Sequence, residues 1–177
     1  MIRIRIASDL DRDDIRALHL SAFPEGESQL VASLAVNLLG QETSPETISL
    51  VAETDNELLG HIAFSPVAAE AGWNWQGYIL APLGVKPAHH NHGIGSRLVE
   101  RGIEQLKQTG VNVLFVYGDP EYYKRFGFSA KTAAAFTPPC RLKYPVGWQA
   151  ITLNEGGHFD QAAELSCVAP LCDPALW

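Results

Sequence analysis

Tyr78-Ile-Leu-Ala-Pro-Leu-Gly-Val-Lys-Pro-Ala-His-His-Asn-His-Gly-Ile-Gly-Ser-Arg-Leu98 is the stretch that decides the fold. Its first eight residues, Tyr78 to Val85, form an apolar run of strand length. A polar, glycine-rich loop follows over 89–95. Ile94, Leu98, Val99, Ile103 and Leu106 then recur at helical spacing, with Arg97, Glu100, Arg101, Glu104 and Lys107 mostly on the other side. Gly110 is a suitable stop for that helix. Val111 to Tyr117 is β-branched and aromatic, which predicts a strand buried on both faces. Strand, helix and strand within about 40 residues make a βαβ unit with a right-handed crossover.

The segment His90-Asn91-His92-Gly93-Ile94-Gly95 then stands where a strand passes into the first turn of a helix. The N–H groups of that turn have no partner within the helix, and the helix dipole adds partial positive charge there. Glycine lets the backbone approach an anion closely. Such a loop holds phosphate without a basic patch. Two other glycine motifs fit badly. A P-loop requires Gly-Lys-Ser/Thr, whereas Gly95 is followed by Ser96-Arg97; a dinucleotide fingerprint requires a third glycine where Leu98 stands. A glycine-rich turn that merely starts a helix is the plainer alternative.

Outward from this centre, residues 2–6 alternate as a strand, and Ser8 or Asp9 offers a helix cap. Ile15, Leu18 and Ala22 share a helical face, and Pro24-Glu25-Gly26 breaks that helix. Leu30, Val31, Leu34 and Leu38 predict a second helix with Gly40 as its stop. Ile48–Ala52 and Leu58–Val67 read as a hairpin turned at Asp55-Asn56. Downstream, 120–126 is expected as a short helix between Pro120 and Gly127, 148–153 as a strand and 160–168 as a helix.

The 177 residues suit a single domain over 1–177. There are 20 acidic and 13 basic side chains, a net charge of −7, and 46% of residues are hydrophobic. That composition excludes intrinsic disorder, and the acidic surface disfavours nucleic acid. No run of about 18 apolar residues offers a membrane span. The start Met1-Ile-Arg-Ile-Arg-Ile alternates charge and bulk instead of forming an apolar signal core, so export is not expected. Cys140, Cys167 and Cys172 are expected as reduced thiols in a cytoplasmic protein. Any polyanion must be held by backbone geometry, because the overall field opposes it.

Val85-Lys-Pro-Ala-His-His-Asn-His-Gly-Ile-Gly-Ser-Arg-Leu98 resembles the acetyl-CoA segment of the GCN5-related N-acetyltransferases (GNAT), which carries Gln/Arg-x-x-Gly-x-Gly/Ala. Tyr123-Lys-Arg-Phe-Gly-Phe128 resembles that family's Tyr-x-x-x-Gly-Phe signature. Leu50-Val-Ala-Glu, Gly60-His-Ile-Ala-Phe-Ser-Pro66 and Gly118-Asp-Pro-Glu-Tyr-Tyr123 are similar to a bacterial YhbS-like subgroup, and the likeness is strongest over 2–130. His90 takes the family's Gln/Arg place and carries less charge near neutral pH.

The resemblance implies an α/β fold: a mixed, mostly antiparallel sheet with helices on both faces, whose fourth and fifth strands splay to admit pantetheine. Pro82 independently marks a place where strand pairing should fail. The implied reaction is acetyl transfer from acetyl-CoA to a primary amine, by direct attack in a ternary complex. Cofactor contacts would come from Leu83, Gly84, Val85, His90, Asn91, His92, Gly93, Ile94, Gly95 and Ser96. The Leu83 N–H would donate to the oxyanion, and Tyr123 would protonate the departing thiolate. No metal is expected, since His89, His90 and His92 have no carboxylate or cysteine near them in sequence.

Some relatives carry a glutamate base where this chain has Ile79, which leaves Glu27, His61, Asp119 or a water chain as candidates. A non-catalytic acyl-CoA sensor is the alternative function. Trp73 and Trp75 are candidates for an acceptor pocket or a homodimer contact, with burial in the core as the plainer alternative.

Overall fold

A computed structural model describes residues 1–55, 57–69, 74–156 and 162–177. Its strands are β1 (Arg3–Ile6), β2 (Ile48–Glu53), β3 (Leu58–Ala68), β4 (Gly77–Val85), β5 (Val113–Tyr117), β6 (Phe136–Thr137), β7 (Trp148–Thr152), β8 (Ala163–Glu164) and β9 (Ser166–Cys167). Its helices are α1 (Arg12–Ala22), α2 (Glu25–Leu39), α3 (Ile94–Gln108), α4 (Pro120–Tyr123) and α5 (Ala130–Ala133). The main sheet is mixed and runs β1-β2-β3-β4-β5-β7, with β9 on β3. The chain gathers into two compact units, Met1–Phe64 with Ala81–Gly102 and Ser65–Leu80 with Ile103–Trp177; β3, β4 and α3 contribute to both.

In the first unit β1 runs antiparallel to β2, from Arg3 opposite Glu53 to Ile6 opposite Leu50. That register puts Arg5 beside Glu53 (2.7 Å) and lets its fork grip both Asp11 oxygens at 2.8 Å. The Arg5 guanidinium lowers the Asp11 carboxyl to about 2. Asp11 in turn accepts from the Ser8 N–H at 2.7 Å, so Ser8 caps a short 3₁₀ turn (Asp9–Asp11) that leads into α1. The chain leaves α1 at Phe23 and enters α2 at Glu25 with Pro24 as its cap. Glu25 and Gly26 therefore open the second helix, and the break is shorter than Pro24-Glu25-Gly26. Ile15 and Leu18 of α1 pack with Ala35 of α2, Val51 of β2 and Leu58 of β3. Ala22 is only half-buried; the α1 face is completed by His19, which is fully buried.

In the second unit β4 and β5 are parallel from Gly77 opposite Val113 to Leu80 opposite Val116. Among the described residues that ladder stops there, two residues before Pro82. This agrees with the expectation that pairing fails at the proline. β5 is antiparallel to β7, and Phe115 stacks on Trp148 with centroids 5.2 Å apart. Trp148 donates from Nε1 to the Phe136 carbonyl (3.0 Å), and Trp75 meets Phe136 edge-on at 5.4 Å. Trp75, half-buried, thus packs its ring against this aromatic cluster. Trp73 lies outside the described residues.

The helix expected over 160–168 is not formed in its described part. Ala163 and Leu165 are buried while Glu164 and Ser166 are exposed, a period of two. Ala163–Glu164 pairs with β6, and Ser166–Cys167 pairs with Val67–Ala68 of β3. Tertiary pairing overrides the helical propensity of Ala-Glu-Leu.

Candidate active site

The glycine-rich loop leaves β4 through a 3₁₀ turn, Pro87–His89. Asn91 (φ 62°) and Gly93 (φ 75°) are both left-handed, and Arg97 N–H is the first in α3 to bond backward, to the Gly93 carbonyl at 3.0 Å. The N–H groups of Ile94, Gly95 and Ser96 precede it, so helix geometry gives them no partner in α3. Asn and Gly are the residue types that tolerate such a conformation. A β-carbon on Gly93 would have no heavy atom within 4 Å, which leaves the approach to these amides open. The Ile94 side chain is buried, so it fixes the start of the helix from below.

Cationic side chains contribute little here. Lys86 pairs with Glu57 at 2.6 Å, and Arg97 donates to the Ile2 carbonyl at 3.2 Å. His90 lies with Nε2 2.8 Å from the Val85 carbonyl, so it braces the loop through that nitrogen, and only Nδ1 faces elsewhere. His89 stands 3.5 Å from Glu57, a carboxylate that sequence spacing does not reveal. His92 and Asn91 are exposed. Among the described residues no group of three or more His, Cys, Asp or Glu is placed to hold a metal ion.

β4 supplies the second part. Lys86 N–H donates to the Leu59 carbonyl of β3 at 2.9 Å. The alternation of an extended strand then turns the Gly84 groups toward β3 and the N–H groups of Leu83 and Val85 to the opposite edge. The Gly84 carbonyl agrees, lying 3.4 Å from where a Gly60 β-carbon would be. Leu83 and Val85 thus present their N–H groups on the edge of β4 away from β3, and Gly84 presents no side chain there.

Under Gly84 lies a feature the sequence reading missed. A β-carbon there would stand 2.7 Å from both Cε1 and Nδ1 of His19. His19 Nε2 is 2.8 Å from His61 Nδ1, and His61 Nε2 is 2.6 Å from Ser49 Oγ. All three residues are buried. Burial holds His19 down at about 4 and His61 well below its ordinary value, so both rings are neutral near pH 7. The available signal was a polar residue four positions after Ile15, on the apolar stripe of α1.

In the second unit α4 carries Tyr123. Its ring is buried, edge-on to Tyr122 (5.0 Å) and Phe128 (5.6 Å). Burial, then the charges of Tyr122 and Asp119, raises its pKa and keeps the phenol protonated. Asp119 is the N-cap of α4, accepting from Glu121 N–H at 2.9 Å. Glu27 is exposed in the first turn of α2, and Ile79 is buried. Of the four expected routes for a base, only His61 belongs to a buried polar chain.

Three comparisons bear on this arrangement. Residues 12–128 match the model of the acetyltransferase (GNAT) family. The chain is 37% identical over 125 residues to the uncharacterized N-acetyltransferase YjhQ of Escherichia coli K12, covering 70% of this chain and 67% of that protein. It superposes on E. coli YhbS, solved in complex with CoA, with a TM-score of 0.75 at 29% identity, over 92% of this chain and 88% of that one. A GNAT acetyltransferase from Brucella melitensis, solved with acetyl-CoA, gives 0.68 at 30% identity over 96% and 97%. With its mixed sheet and its open helix entrance behind β4, the chain belongs to the GNAT family of acetyltransferases.

Proposed function

We propose that the protein transfers the acetyl group of acetyl-CoA to a primary amine, by direct attack in a ternary complex. One observation carries this reading: the unpartnered amides opening α3 lie one short loop after the outward amides of Leu83 and Val85 on β4. The first set suits a diphosphate, the second an extended pantetheine arm and its thioester. The Leu83 N–H is the donor for the tetrahedral oxyanion, a role worth roughly 10²–10³ in rate elsewhere. Asn91, His92, Gly93, Ile94, Gly95 and Ser96 line the diphosphate with backbone amides, and His90 keeps the loop in register through Val85.

Tyr123 is the proton donor to CoA sulfur. The burial that disfavours its phenolate equally penalises a naked thiolate, so a shared proton serves both. The acidic composition favours a cationic acceptor by steering.

Calorimetry with acetyl-CoA, followed by CoA thiol release over a panel of amines, tests the proposal. Micromolar binding together with release that depends on an amine supports it. Tight binding without release on any amine would instead identify an acyl-CoA sensor.

A further inference from the structure

The geometry points to His19 as the base that takes the proton of the acceptor amine, with His61 and Ser49 as positioning residues behind it. The inference rests on the acyl-transfer reading above and names its missing base. Three observations carry it. His19 Nδ1 is a buried nitrogen with no hydrogen-bond partner, among the described residues one of few such side-chain atoms. A histidine kept only for packing has no need of a bare nitrogen, and native interiors seldom leave one. That nitrogen also lies beneath Gly84, 2.7 Å from where a β-carbon there would stand, at the strand position between Leu83 and Val85. Finally, the opposite ring nitrogen of His19 continues through His61 to Ser49 at 2.8 and 2.6 Å, a connected proton path.

The direction of the path follows from hydrogen-bond roles. With His61 Nε2–H donating to Ser49 Oγ and His19 Nε2–H donating to His61 Nδ1, His19 Nδ1 keeps a lone pair. The acceptor ammonium gives one proton to Nδ1. His19 passes its Nε2 proton to His61, His61 passes its own to Ser49 Oγ, and the serine proton goes to water. The freed amine lone pair forms the C–N bond, the C–S bond breaks, and the second N–H proton balances the one that CoA sulfur receives. Asp11 is the charged group that eases a passing cation on His61, against burial and His19. Phe23, stacked on His19 with centroids 5.8 Å apart, covers the ring. Ile79, buried and apolar, leaves β4 without a base at the position the resemblance suggests.

The test uses the full-length protein and His19→Gln, with acetyl-CoA affinity by calorimetry and CoA release with two probes. Benzylamine is protonated near neutral pH, whereas hydroxylamine is largely not. His19→Gln should bind acetyl-CoA within about twofold of wild type and lose about 10²–10⁴ in benzylamine turnover near neutral pH. That loss should shrink as rising pH deprotonates the amine, and hydroxylamine should lose less than about tenfold. Equal losses with both amines at every pH, or none, would overturn the role. A second measurement needs no variant and no acceptor. ¹⁵N NMR of the histidines should find His19 protonated on Nε2 and bare on Nδ1, and a protonated Nδ1 overturns the assignment. Failure of the wild-type protein to bind acetyl-CoA would remove the acyl-transfer reading itself, whereas binding without this pattern removes only His19.

Discussion

Gly93 sits at a left-handed φ of 75°, where a β-branched residue is strained whatever the space. Gly93→Ala is the cleaner probe: its methyl enters open space on the ligand side, and the backbone costs about 1–2 kcal/mol. Acetyl-CoA affinity by calorimetry should fall at least about tenfold, with a melting temperature only a few degrees lower. Unchanged affinity would show that the diphosphate sits elsewhere. Tyr123→Phe asks a separate question, because it removes one hydroxyl and keeps the ring against Phe128. The expected result is a kcat lower by about 10²–10⁴ with the KM for acetyl-CoA near wild type. A change confined to KM would make the residue a binding contact.

At the scale of elements, the join between β1, β2 and α1 is an ion network whose pH response can be worked out. The folded Asp11 carboxyl is lowered to about 2 by Arg5, against an ordinary 3.8. A lowered folded pKa stabilises the protein above the ordinary value, and the contribution drains away as pH falls from 3.8 toward 2. Asp11→Asn should therefore flatten the stability curve between about pH 4 and pH 2 in denaturant melts. A wild-type slope retained in that variant would place the acid sensitivity in other carboxylates. The elements themselves were readable where a period was long. α3, β5 and the β2–β3 pair stood out because five or more apolar positions repeat in each. The segment over 162–168 did not, since Ala-Glu-Leu is helical by propensity and only the edges of β6 and β3 make it extended. The loop after β4 was legible from its glycines as a turn into a helix, and Asn91 and Gly93 are left-handed there. His19 was not legible, because its role depends on Gly84 and His61, which are distant in sequence and brought under one another by the sheet.

For the whole molecule the relevant quantity is charge. A chain of net charge −7 offers the proposed diphosphate loop mostly backbone dipoles, with Lys86 paired to Glu57 and Arg97 bonded to a carbonyl. Dipoles act within the first turn of a helix, whereas net charge acts over the screening length. Raising ionic strength from about 10 mM to about 150 mM shortens that length from about 30 to about 8 Å. The long-range repulsion between protein and CoA phosphates is then suppressed, while contacts inside the loop are little altered. Stopped-flow association of acetyl-CoA should speed up several-fold over this range, and dissociation should hardly change. A protein that bound the same ligand through lysines and arginines would show the reverse, losing affinity with every increment of salt. A steep loss of affinity here would mean that cationic side chains, and not the amides of α3, hold the diphosphate.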